Sequence, residues 1–117
     1  MPKIYLSPST QDWNMYVTGS GSEEYNMNLL ADALVPYLLS NGIQYQRNRP
    51  EMTAGSSIRE ANQGEYDLYL ALHSNAAPEG RYGEERGIIA FYYPGSVGGQ
   101  RAAELIAQEL RKIYPLT

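Results

Sequence analysis

Histidine occurs once in the 117 residues, as His73, between an apolar run and the polar turn Ser74-Asn75-Ala76. Imidazole is the commonest metal ligand and a general base near neutral pH, so this position is a first candidate for chemistry. A lone histidine satisfied by its own loop fits the same spacing. Glu23 and Glu24 stand together where a helical pattern opens. A carboxylate there can serve as a hard oxygen ligand for a metal, although acidic side chains also suit a first turn because they oppose the helix dipole. Glu79, Glu84 and Glu85 follow His73 and could act as acid or base, yet Arg81 and Arg86 lie among them and the mixed signs fit a solvated loop. Cysteine is absent, which removes disulfides, thiolate metal sites and a cysteine nucleophile. The single histidine likewise excludes a site built from two in-chain imidazoles.

Other chemistries lack their motifs. Ser7-Pro8-Ser9-Thr10-Gln11 follows the first apolar run where a nucleotide-binding chain would carry a glycine-rich phosphate loop. Gly-x-Ser-x-Gly, the serine nucleophile elbow, occurs nowhere. Nine basic against thirteen acidic residues give a net charge of −4, and without a basic stripe nucleic acid is not an expected partner. Tyrosine is heavily used, 11 residues against one Phe and one Trp. Such amphipathic rings fit either a polar-edged core or a wet, sugar-binding surface. No apolar run approaches the roughly 18 residues of a membrane span, so no membrane partner is expected. The opening Met1-Pro2-Lys3-Ile4-Tyr5-Leu6-Ser7 lacks the apolar stretch of a secretory signal, so action outside a cell would require another export route or a longer parent chain.

The elements that must position these residues follow from patterning. Residues 3–6 read as a first strand, and residues 7–21 as a polar loop too long for a plain connector. A helix follows. Ser20 and Glu23 have capping-box spacing, and Ser22 is a rival cap. Tyr25, Leu29, Ala33 and Tyr37, with Leu30, Leu34 and Leu38, form its i, i+4 stripes. Pro36 predicts a kink or short break, and Gly42 after Asn41 predicts the stop. Residues 43–47 alternate as a second strand. Residues 53–62 read as a second helix, with Ser57 and Glu60 as a capping pair and Gly64 as its stop. Residues 67–72 are nearly all apolar, as in a strand covered on both faces. Residues 76–86 form a charged loop and residues 87–93 a fourth strand. Residues 100–113 form a last helix with Ala103, Ile106, Ala107, Leu110 and Ile113 on one face. The order predicts one α/β domain over residues 1–117, with a mostly parallel central sheet of about four strands flanked by helices. Ligands in such sheets sit beyond the carboxyl ends of strands, which puts residues 7–11 and His73 on one rim.

Together these segments resemble the zinc-dependent N-acetylmuramoyl-L-alanine amidases, the type found in bacterial autolysins and phage endolysins. Arg59-Glu60-Ala61-Asn62, then Tyr66-Asp67, the apolar strand and His73-Ser74-Asn75-Ala76, are similar to the family's Arg…Ala-Asn, acidic residue, strand and His-x-Asn-Ala. Glu24-Tyr25-Asn26-Met27-Asn28-Leu29 resembles its Glu-x-x-x-Asn-Leu, and Arg47 and residues 87–93 also fit. The resemblance covers nearly the whole chain.

It implies a zinc cofactor, with Glu24 and His73 as ligands. The family's third ligand is a histidine in Asp-Pro-Gly-His, where Ser7-Pro8-Ser9-Thr10 stands here. Thr10 occupies the ligand position when the two are aligned on the proline, and Gln11, with its longer reach, is the chosen replacement. The family's catalytic glutamate lies on strands beyond the point where this chain stops, at Pro115-Leu116-Thr117, so no catalytic residue is assigned. The implied reaction is hydrolysis of the amide joining N-acetylmuramic acid to L-alanine in peptidoglycan, during cell-wall catabolism. The implied place of action is extracellular or in the cell wall. The alternative is a catalytically inactive, wall-binding or structural remnant of that fold. Missing C-terminal strands would also leave a sheet edge open to self-association.

Overall fold

The computed structural model describes residues 2–16, 19–49, 51–74 and 89–113. The expected loop at residues 76–86, with Glu79, Glu84 and Glu85, lies outside them, as do Gly87, Ile88 and Pro115. Two compact units are present, Met1–Ser74 and Asn75–Thr117.

The first unit holds three strands and two helices: β1 (Lys3–Pro8), α1 (Glu23–Ser40), β2 (Gln44–Arg47), α2 (Ala54–Gln63) and β3 (Leu68–Leu72). The sheet order is β2-β1-β3, and both pairings are parallel. The fold is thus α/β, a small parallel sheet flanked by helices, with three strands among the described residues. Residues 89–93 carry no strand pairing, and Ile89, Phe91 and Tyr93 are exposed. Their β-branched and aromatic composition suits a strand, but composition cannot supply the neighbour whose backbone would complete the ladder.

Alternation along β1 sorts the sheet into two faces. Ile4 and Leu6 point to one side and join Ala31 and Leu38 of α1 in the core, with Leu34, Val35, Tyr45, Leu68, Leu70 and Leu72 packed around them. Leu6 is fully buried, and burying such a side chain contributes about 1.5–3 kcal/mol. Helix α1 therefore turns Ala31, Leu34, Val35 and Leu38 inward. Most of the expected stripes point outward instead: Tyr25, Leu29, Leu30 and Tyr37 are exposed, as is Ala33. Apolar residues occur all round this helix, so its periodicity alone does not select a face.

Helix α1 begins where Ser22 accepts from the Tyr25 amide, so Ser22 rather than Ser20 is the cap. It runs through Pro36 without a break. At its end Gly42 adopts φ +73°. The Ile43 amide donates to the Leu38 carbonyl at 2.9 Å and the Gly42 amide to the Leu39 carbonyl at 3.1 Å. This is the paired closure of a Schellman motif. Arg47, at the end of β2, then ties strand to helix. It meets the Asp32 carboxylate at 2.6 Å and the Asn28 side-chain oxygen at 2.8 Å.

The other face of β1 carries Tyr5 and Ser7 and looks toward α2. Tyr5 stacks on its cross-strand partner Tyr69 with centroids 5.5 Å apart, and its hydroxyl donates to Glu60 at 3.1 Å. Thr53 caps α2 through a reciprocal box with Ser56, in place of the expected Ser57 and Glu60 pair. Ser57 is buried and serves the interior. The buried Asn48 amide donates to Ser57 Oγ at 3.2 Å, to Ser7 Oγ at 3.2 Å and to the Pro8 carbonyl at 3.1 Å. Strand β3 was expected to be covered on both faces, but Tyr69 and Ala71 are exposed. It lies at the end of the strand order, whereas β1 takes the fully covered central place.

In the second unit Tyr93 to Ser96 turns through Gly95, and Ser96 caps α3 (Val97–Arg111) by accepting from the Gly99 amide at 3.0 Å. The helix thus starts three residues before its expected position. Ala103 and Ala107 are its buried residues, while Ile113 is exposed and lies beyond its end.

Two outcomes follow for stability. Asn48→Ala removes the two buried N–H groups shared among Ser7, Ser57 and the Pro8 carbonyl and should cost about 2–3 kcal/mol, read as a lower urea midpoint with an unchanged slope. The Tyr5 phenol is pushed well up, first by burial and then by its hydrogen bond to Glu60 and that carboxylate's charge. Its neutral form is therefore favoured in the fold. The stability it contributes is complete below the free-tyrosine value of 10.0 and declines as pH rises beyond it. Urea titrations across that range should show a steeper decline for the wild type than for Tyr5→Phe.

Candidate functional site

The chain leaving β1 folds back over the start of α1. The amide of Glu23 donates to the Asn14 carbonyl at 2.8 Å and that of Glu24 to the Gln11 carbonyl at 3.3 Å. With Ser22 serving the Tyr25 amide, the loop satisfies the first amides of the helix, which would otherwise lack partners. These bonds also seat Gln11 beside Glu24. At the far side of the rim, Ser74 follows β3 and shares a hydrogen bond with the Tyr16 hydroxyl.

A cleft of about 590 Å³ opens here, within the usual size range of small-ligand sites. Gln11, Glu24 and His73, the three residues expected to hold a metal, all line it, together with Thr10. Sequence reasoning missed its opposite wall. Glu51, Met52 and the start of α2 at Thr53, Ala54 and Gly55 face the same space, and Asp12 and Trp13 complete the lining. Carboxylates of Asp12, Glu24 and Glu51 give the cleft a negative character, and among the described residues neither lysine nor arginine lines it. Trp13 is widely exposed at 73% and offers an aromatic surface at the site.

Glu23 takes a different part from its neighbour. Its side chain is 2% exposed, and its Oε2 lies 3.2 Å from Nδ1 of His73, whose side chain is 47% exposed. The other carboxylate oxygen receives a 3.5 Å hydrogen bond from the Asn14 amide. The resemblance singles out Glu24. The direct partner of the histidine is the residue before it, because the cap at Ser22 makes Glu23 the first helical position and turns it inward. Placing that cap was the only sequence signal that could have separated the two.

Catalytic zinc takes three protein ligands from His, Cys and carboxylate side chains. The described residues hold no group of three or more such side chains able to surround an ion. A glutamine amide is a poor third donor beside imidazole and carboxylate, and Gln11 Oε1 already accepts from Asn14 at 3.3 Å. The set does not fit a catalytic zinc. No family model matches this chain, and neither the curated proteins nor the solved structures contain a significant match to it.

The Glu23–His73 contact joins α1 to the end of β3. Removing either partner should lower stability by about 1–2 kcal/mol. The double variant Glu23→Ala/His73→Ala should lose less than the sum of the two single variants, because both break one interaction. Urea unfolding of the four proteins measures this, and strict additivity would show that the contact contributes nothing.

Proposed function

We propose that this chain is a catalytically inactive, wall-binding form of the amidase-like fold, whose acidic cleft takes a fragment of peptidoglycan. The carrying observation is the donor set on the cleft: Gln11, Glu24 and His73 offer one imidazole, one carboxylate and one weak amide oxygen. The Glu23 carboxylate engages Nδ1 of His73 at 3.2 Å and so orients the ring without adding a ligand. The cleft that remains has the volume, the hydrogen-bonding groups and the exposed aromatic residue of a binding site. Its place of action is extracellular or at the wall. Among the described residues no helix is long and apolar enough to cross a membrane.

A second reading keeps the activity: zinc-dependent hydrolysis of the bond between N-acetylmuramic acid and L-alanine. It is favoured by one observation, that Gln11, Glu24 and His73 line a single cleft. The two readings part in one experiment on the full chain. It should co-sediment with purified cell walls, and His73→Ala should reduce the bound fraction several-fold. No new amino groups should appear, with or without added zinc. Zinc-dependent release of L-alanine amino termini would establish the hydrolytic reading and remove the inactive one.

A further inference from the structure

A second concavity, of about 390 Å³, shares no residue with the cleft. Ile58, Ala61 and Asn62 of α2, Gly64 at the end of that helix, and Tyr66 and Tyr69 line it. Tyr66 precedes β3 and His73 follows it, so the five residues of that strand, about 17 Å long, separate the two sites.

Both rings of this pocket are fixed from behind. Tyr69 stacks on the fully buried Tyr5, with centroids 5.5 Å apart and planes 3° from parallel, and its hydroxyl donates to Ser7 Oγ at 2.8 Å. Tyr66 meets the same Tyr5 ring edge-on, 5.4 Å away at 82°. The two tyrosines thus stand nearly at right angles, as floor and wall of one corner. Lys3 Nζ, 5.0 Å from the centroid of the Tyr66 ring, steadies the wall. Gly64 makes room for it, since a Cβ there would stand 2.5 Å from Tyr66 Cε2. The corner is nevertheless open, with Tyr69 37% and Ile58 50% exposed.

We propose that this corner is a binding site for an uncharged sugar ring, separate from the acidic cleft. A pyranose carries an apolar C–H face and a rim of hydroxyls. Its face matches an aromatic ring, and rings already fixed lose little further freedom on binding. Its hydroxyls both donate and accept, as does the exposed Asn62 amide in the lining. Among the described residues no charged side chain lines the pocket, so an ionic ligand finds no partner there.

The test titrates the full chain with the linear tetramer of N-acetylglucosamine, followed by calorimetry and by NMR of the tyrosine rings. The tetramer should bind and shift the signals of Tyr66 and Tyr69. Tyr66→Ala should weaken binding about tenfold, the loss of one good aromatic contact. Tyr66→Phe keeps the ring and should stay within about threefold of the wild type. Gly64→Ala keeps both tyrosines but displaces the Tyr66 ring, and should weaken binding with little change in the urea midpoint. Absence of binding to the wild type overturns the proposal, as does equal affinity in Tyr66→Ala. A mass that doubles with concentration in the wild type and not in Tyr66→Ala assigns the corner to a second copy and also overturns it. Failure to sediment with walls removes the wall-binding reading of the cleft instead, because the titration uses no wall.

Discussion

Strand β1 is hydrogen-bonded along both edges, and its residues from Ile4 to Pro8 are buried. Parallel strands cannot be joined by tight turns, so each connection from β1 to β2 and from β2 to β3 must cross the sheet through a helix. The two crossovers run to opposite sides of β1. Right-handed connection then sends α1 and α2 to opposite faces, which agrees with Ile4 and Leu6 meeting α1 while Tyr5 meets Glu60 of α2. The same geometry brings the carboxyl ends of β1 and β3 together. The cleft is therefore a consequence of strand order, and the loop after β1 and His73 after β3 have no other rim to share.

How that rim is finished depends on backbone satisfaction. The loop after β1 supplies carbonyls to the first amides of α1, so the positive end of this helix is used internally and Gln11 is anchored next to Glu24. Successive helical residues point about 100° apart. One residue of register is thus enough to send Glu23 inward to His73 and leave Glu24 on the cleft. Asn48 performs a similar task behind the site, linking β1 to α2 and so fixing where Thr53 and Gly55 stand. Polar residues carry these joints because a small core cannot orient a loop by apolar contact alone.

The helices and strands of the first unit were legible from their punctuation. Gly42, Gly64 and the residues near Thr53 mark their ends, and α2 and β3 begin one residue after their expected starts. The faces were less legible. Helix α1 has apolar residues on every side, and only contact with the sheet selects Ala31, Leu34, Val35 and Leu38. The apolar run of β3 implied an interior strand, yet the more polar β1 holds the central position. Residues 89–93 have strand composition without strand pairing. In each case local composition reports what a segment can tolerate, while burial is a property of its neighbours.

The sequence by itself determined the alternation of strands and helices, the exclusion of thiol and two-histidine chemistry, and the presence of Gln11 and His73 on one rim. Those follow from residue identity, periodicity and the general rule for open α/β sheets. Tertiary structure alone decided that Glu23 is the partner of His73 and that Glu51, Thr53 and Gly55 close the far wall. The reason is distance in the chain: 50 residues separate Glu23 from His73. Their meeting depends on the helix cap, the strand order and the pairing register acting together, and no local pattern encodes that combination.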